Sequence, residues 1–280
     1  MTTTDHCPLV TTTGNCRYTI SSGRFRLNLV VVGHNRVHRS ALLYLSALLA
    51  LVSAVASPAI AQFAPQSGTF TVSQLGHAVG TAEFRFARTS SGYDSGSTVH
   101  VSMQGLEYAL SKTEELDPSS RIQHVLLSAT VNGSAVNVTG KPDSPNFLLN
   151  ISANGRSSTT RLVAHNASVF LADFDPGGLQ TLLTLAAAQN GRDVWAILPK
   201  QAGSIEPVQL ATYADEHGTL DGKPVAVHHL VATIAGENTD LFSDPDNQLL
   251  QAELPQQGFS LIRKGFVLAP PKRPVAPPAQ

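Results

Sequence analysis

From Gly68 onward, apolar and polar residues alternate along the chain, the spacing at which successive side chains fall on opposite faces of a sheet. Phe70 and Val72 alternate with Thr69, Thr71 and Ser73, and a turn is expected over Gly76 to Gly80. Ala82, Phe84 and Phe86 then alternate with Glu83, Arg85 and Ala87, so the pair reads as a long antiparallel hairpin. Val99, Val101 and Met103 interleave with His100, Ser102 and Gln104. Val125, Leu127, Ala129 and Val131 run into Asn132-Gly133, a pair that tolerates positive φ in a tight turn, and Val136 and Val138 continue beyond it. Further strands are expected at 147–153, 159–164, 194–198, 208–213, 225–235, 249–254 and 259–263. Closely spaced strands without intervening helices predict a mainly β protein built on a curved antiparallel sheet, a half-barrel or β-spiral, rather than a parallel α/β fold.

One segment has a different period. Leu179, Leu182, Leu183 and Ala186 share one helical face. Asp175 is a suitable N-cap, Pro176 suits the first turn because its missing N–H is not needed there, and Asn190-Gly191 can end the helix in the left-handed conformation. The spacing predicts one short helix over 178–189, apolar on most sides and packed against or inside the sheet as a plug.

The two ends of the chain read differently. Arg36 and Arg39 precede an apolar run from Ala41 to Ala56, and Ser57-Pro58-Ala59-Ile60-Ala61 ends in an Ala-x-Ala site. This grammar predicts a secretory signal over 36–61 cleaved near Ala61, a mature chain from about Gln62, and a periplasmic or secreted location. The apolar run is shorter than the roughly 20 residues a membrane-spanning helix needs, so no transmembrane anchor is expected in the mature form. Residues 1–35 are Thr-rich without clear period and read as a doubtful extension, with translation starting at a valine such as Val32 or Val37. Residues 62–268 form the single β-rich domain. The tail from Ala269 to Gln280, with prolines at 270, 271, 274, 277 and 278, favours extended backbone and reads as disordered, a spacer or a ligand for a proline-reading partner being the alternatives.

Charge and cysteine content narrow the partners. The chain holds 19 basic and 20 acidic residues. The leader removes five arginines and Asp5, leaving 14 basic against 19 acidic, a formal −5. Nucleic acid and anionic membranes need concentrated positive charge, so neither is an expected partner. Cys7 and Cys16 both precede the cleavage site, which removes thiolate chemistry, disulfides and a lipid-anchoring cysteine from the mature chain.

The common catalytic and ligand-binding motifs are missing from the sequence. The chain has no Gly-x-Ser-x-Gly elbow, no phosphate-cradling glycine loop, no Gly-x-Gly-x-x-Gly and no His-Glu-x-x-His. His228 and His229 are adjacent on one expected strand and point to opposite faces, so they do not share a metal; a site combining one of them with His100 or His124 is the less favoured reading. Asp244-Pro245-Asp246-Asn247 begins like a calcium loop, but Leu249 stands where glycine is needed and Pro255 where a bidentate glutamate is needed, so a polar turn is expected. Asp173 and Asp175 read as turn and cap. Asn132, Asn137, Asn150 and Asn166 head formal glycosylation tripeptides, taken as surface polarity. No metal, cofactor or catalytic residue is expected.

Gly68-Thr69-Phe70, Gly80-Thr81-Ala82-Glu83-Phe84, Asp240-Leu241-Phe242, the stretch Asp244 to Leu250 and Arg263 together resemble a recurring pattern. It is similar to that of exported bacterial proteins of unassigned function with a curved or spiral antiparallel sheet. That group is similar in architecture to the carriers of the lipoprotein-localisation system, in which a sheet wraps a helix around an apolar groove. The resemblance spans most of residues 68 to 264 and brings no catalytic residue. It implies an envelope setting and either binding of a lipid or other apolar ligand, or support of envelope integrity with an envelope protein as partner. Phe84, Phe86, Leu182, Leu183 and Trp195, with Phe70, are the candidates for a groove lining, a packed core being the other reading of such side chains. Two alternatives remain at this point: a secreted hydrolase built from dispersed residues such as His100, His228 and Asp240, and a surface or polymer-binding module using Ser-, Thr- and Asn-rich strand faces.

Overall fold

The structure is a computed structural model that describes residues 18–22, 25–29, 66–200 and 202–270. The chain divides into two compact units, 1–62 and 63–280. In the first, β1 (Tyr18–Ser22) and β2 (Phe25–Leu29) form an antiparallel hairpin where the sequence shows no clear period. The expected export signal, the remainder of the expected N-terminal extension and the tail beyond Pro270 lie outside the described residues.

The second unit is the β-rich domain. An eight-strand antiparallel meander opens it: β3 (Gln66–Gln74), β4 (His77–Arg88), β5 (Tyr93–Met103), β6 (Leu106–Leu116), β7 (Ile122–Val131), β8 (Ser134–Asp143), β9 (Asn146–Ala153) and β10 (Arg156–Val163). A crossover follows, in which β11 (Ser168–Phe170), helix α1 (Pro176–Ala188) and β12 (Trp195–Leu198) make the one parallel strand pair among the described residues. Then come β13 (Ser204–Thr212), β14 (Glu216–Leu220), β15 (Lys223–Ile234), β16 (Glu237–Ser243), β17 (Leu249–Leu254), β18 (Phe259–Arg263) and β19 (Phe266–Leu268). Strand β18 pairs with β3, so the last part of the chain extends the sheet on the side opposite β10. Long β15 pairs with three strands: its first half with β14, and its second half with β13 on one edge and β16 on the other.

The sheet is large, antiparallel-dominated and open. Among the described residues β10 has a ladder with β9 and none with β11, β12 or β13; at that end the Thr160 hydroxyl donates to the Ala202 carbonyl at 2.6 Å. Inward positions of β4, β5 and β6 are buried in strict alternation. Helix α1 packs against β4, β5, β11 and β17, elements from both halves of the sheet, and Leu182, Leu183 and Leu185 join the same core cluster as Phe70, Phe84 and Phe86. A small satellite core of Val227, Phe242, Leu250 and Phe266 lies under β14 and β19.

Local chemistry accounts for most element ends. Asn132-Gly133 turns β7 into β8 with φ of 50° and 80°, as the pair predicts. The expected turn over Gly76 to Gly80 is shorter: Leu75 and Gly76 make it with φ of 49° and 83°, and β4 starts at His77. Gly80 lies inside the β3–β4–β5 ladders, where a Cβ would come to 2.1 Å from the His100 carbonyl oxygen, so the residue is required by backbone approach rather than by a turn. The helix begins at its expected cap, Asp175, which accepts from the Gly178 N–H, and Pro176 is its first residue. It ends in a Schellman arrangement, with Gly191 N–H donating to Ala186 O at 2.8 Å and Asn190 N–H to Ala187 O at 3.4 Å. Buried Gln180 fixes the helix to the β16–β17 turn, donating to Asn247 O and accepting from Leu249 N–H, both at 2.8 Å. In that turn Asp244 Oδ1 accepts from the Asp246 and Gln248 amides at 2.9 and 2.8 Å, the polar turn that the sequence predicts.

Candidate functional site

The sequence pattern leaves β6 unassigned because two of its five inward positions are charged. Tyr108, Leu110, Lys112, Glu114 and Leu116 all point into the core. Across the ladder Ser97 pairs with Lys112 and Ser95 with Glu114, so four polar side chains lie side by side beneath the helix N-terminus. The Lys112 ammonium is 2.5 Å from Asp175 Oδ2 and 3.5 Å from Glu114 Oε2, and donates to the Phe170 carbonyl at 3.4 Å. All three charged side chains are 0% exposed. The Ser97 hydroxyl donates to Asp175 Oδ1 at 2.5 Å and accepts from the Gly177 N–H at 3.1 Å.

This network seats the first turn of α1. Two of its free N–H groups find oxygen partners, and Asp175 is at once cap and counter-ion. Glycines at 177 and 178 are needed for the fit: a Cβ at Gly177 would be 2.4 Å from Ser97 Oγ, and one at Gly178 would be 2.7 Å from Asp175 Oδ2. Burial pushes the Glu114 carboxyl above the ordinary carboxylate range despite the attraction of Lys112, and the charge of Asp175 pushes it further. Burial pulls the Lys112 ammonium down, but Asp175 and Glu114 together outweigh it and the net shift is upward. The arrangement is therefore a Lys112–Asp175 ion pair with Glu114 beside it holding its proton more tightly than an exposed glutamate. Among the described residues Glu114 Oε1 and Ser95 Oγ make no hydrogen bond.

Directly above the network lies an apolar pocket of about 220 Å³. Asp175 lines it together with Leu171 and Phe174 from the β11–α1 connection, Leu179 of α1, Leu198 of β12, Ile234 of β15, Leu254 of β17 and Leu261 of β18. Lys200 and Asp173, paired at 3.0 Å and both well exposed, line it too, as does Glu237. Phe174 has φ of 56° and is held edge-on between Tyr108 and Phe259, with centroids at 5.8 and 4.8 Å. The Tyr108 hydroxyl donates to Asp173 O at 3.3 Å; burial, then the charges of Asp173 and Asp175, raise its pKa, so it stays a neutral donor. One short segment, 171–175, is thus both pocket wall and the start of the buried network.

The groove candidates from the sequence lie elsewhere. Phe84, Phe86 and Leu182 are packed in the core, Phe84 against Phe70 at 6.0 Å and Phe86 against Tyr93 at 5.3 Å. Leu183 is buried and borders a separate cavity of about 380 Å³ at the C-terminal end of α1. Trp195 stacks on His165 at 3.7 Å. None of the five lines the apolar pocket; of that pocket's apolar wall, Leu179 belongs to the expected helix face, and Leu198, Ile234, Leu254 and Leu261 fall in expected strands and are not among the groove candidates.

The histidines form separate pairs. His100 faces Glu107 at 3.5 Å, His228 faces Asp215 at 2.8 Å, and His229 faces Asp240 at 2.8 Å and Glu216 at 3.4 Å. His100, His228 and Asp240 therefore engage three different partners and do not form one constellation. The His229 ring stacks between Tyr213 and Phe242 at 5.0 and 4.5 Å. Among the described residues no group of three His, Cys, Asp or Glu side chains has the geometry to hold a metal ion, and no helix is long and apolar enough to cross a membrane. No protein-family model, curated protein or solved structure matches the chain.

Proposed function

We propose that this chain is an exported, non-enzymatic binding protein that takes an apolar chain of a lipid or other amphipathic small molecule into the pocket above Asp175. The observation that carries this reading is the pocket itself, a concave apolar surface in which Leu171, Phe174, Leu179, Leu198, Ile234, Leu254 and Leu261 converge from six segments, with polar groups at Asp173, Lys200 and Glu237. Convergent apolar walls with a few placed polar groups are the usual form of a small-molecule site. Its 220 Å³ is below the ~300–1,000 Å³ of pockets that enclose a drug-sized ligand, so it suits one hydrocarbon segment rather than a whole lipid. The export half of the proposal rests on the basic stretch, apolar run and Ala-x-Ala site over 36–61, and an envelope carrier role on the resemblance of the sheet pattern.

The test is native mass spectrometry of the chain purified from its own envelope, with organic extraction of whatever is bound, followed by titration with a fluorescent fatty-acid probe. Uptake of the probe by the wild type and its loss in Leu254→Arg, with the melting temperature of the variant recorded alongside, is the expected result. A clean apo mass together with probe binding that Leu254→Arg leaves unchanged would refute the pocket.

A further inference from the structure

Another concavity, of about 490 Å³, borders the start of β14 and shares no lining residue with the apolar pocket. Tyr213, Asp215, Glu216, His229, Ala269 and Pro270 line it. We propose that its occupant is this chain's own basic, proline-containing segment Pro271–Pro274, which docks there in cis.

Strand geometry brings that segment to the pocket. Strand β19 pairs antiparallel with β14 in the register Leu220↔Phe266, Thr219↔Val267 and Gly218↔Leu268, and Ala269 N–H donates to His217 O at 2.9 Å. Pro270 and Pro271 have no N–H to donate to a ladder, and consecutive prolines favour an extended backbone. If the register of β19 on β14 were continued, Pro271 would fall opposite Asp215 and Arg273 opposite Tyr213. The reach is short: at most about 3.6 Å per residue separates Pro270, already in the pocket wall, from Lys272 and Arg273.

The chemistry of the two surfaces matches. Residues 271–280 carry Lys272 and Arg273 and no acidic residue. The pocket wall offers Asp215 and Glu216, whose side chains are 60% and 32% exposed. One oxygen of each faces a histidine, Asp215 Oδ1 on His228 and Glu216 Oε1 on His229, and each carboxylate has capacity for further donors. Tyr213 is 55% exposed with its ring backed by the His229 imidazole, a flat aromatic face of the kind on which proline rings and guanidinium groups stack. Tethering supplies the rest, because a segment two residues from its site is present at a high effective concentration whatever its affinity as a free peptide.

The experiment compares amide and aromatic-ring chemical shifts of the full chain with those of its K272E/R273E variant. Charge reversal is expected to shift Tyr213, Asp215, Glu216, His217, His228 and His229 and to leave the rest of the sheet unmoved. A free peptide spanning Pro270–Gln280 is then added to both. The variant should bind it and recover wild-type shifts, with an apparent affinity on the order of a hundredfold tighter than the wild type, whose pocket is already filled. Adding D215N to the variant should weaken the peptide. Unchanged shifts on charge reversal, or equal response of both chains to the peptide, would overturn the proposal. So would wild-type shifts that move with protein concentration, which would assign the pocket to the tail of a second copy.

Discussion

Ser97 and Asp175 are 78 residues apart in sequence and share a hydrogen bond in the buried network. Lys112 neutralises Asp175 there, and the pair is fully out of water. Removing the cation while keeping its bulk, as in Lys112→Met, strands the carboxylate and should destabilise the domain by about 3–5 kcal/mol in a denaturant melt. Glu114 behaves differently. Its carboxyl pKa is raised in the folded state, so the folded chain keeps a proton that the unfolded chain releases. Stability from this group is intact below the ordinary carboxylate pKa and falls as pH rises from there to the raised folded value; Lys112, raised as well, adds a second decline above the ordinary lysine range. Glu114→Gln should flatten the first decline and leave the second, read as denaturation midpoints across pH. A wild-type curve that rises over the first interval would contradict this protonation state. Gly177→Ala places a methyl 2.4 Å from Ser97 Oγ and should cost about 1–3 kcal/mol by prising the helix start off β5, with loss of helical signal preceding loss of strand signal on heating.

At the scale of elements, the helix and the strand edges carry the contrast. Helix α1 is buried over most of its surface, and both of its ends are closed by the cap and the Schellman bonds, so its formation depends on the sheet around it more than on its own two glycines and a proline. Strand β10 is the opposite case: it pairs with β9 alone, and most of its residues are exposed. Amide hydrogen exchange should therefore be fastest in β10 and slowest in β5, which is paired on both sides. Equal protection of the two would mean that the sheet closes between β10 and β13. The sequence made β4 legible because Ala82, Phe84 and Phe86 alternate cleanly with polar neighbours, and β7, β17 and β18 because short apolar runs there are bounded by turn residues. It hid β6, whose inward Lys112 and Glu114 break the alternation, although Tyr108, Leu110 and Leu116 in the same phase were a readable hint. It also hid β11 and β19, each three residues long, since so short a run has no period to detect.

For the domain as a whole, the position of the pocket follows from the crossover through α1. The β11–α1–β12 unit carries residues 171–179 across the mouth of the sheet, and strands β15, β17 and β18 return to meet them. Turn pairs such as Asn132-Gly133, the Asp175 cap and the period-two strands were set by the sequence alone, because each depends on interactions within a few residues, where backbone dihedral preference and local hydrogen bonding decide the outcome. The buried ion pair, the pairing of β18 with β3 and the apolar pocket were decided only by tertiary structure. Their partners lie far apart in the chain, and one apolar residue looks like another until packing places some in the core and leaves Leu171, Leu254 and Leu261 around a space. Phe84 and Leu182 illustrate the same limit: hydrophobicity fixed that they would be inside, and only the wrapping of the sheet around the helix determined that they fill the core instead of lining its opening.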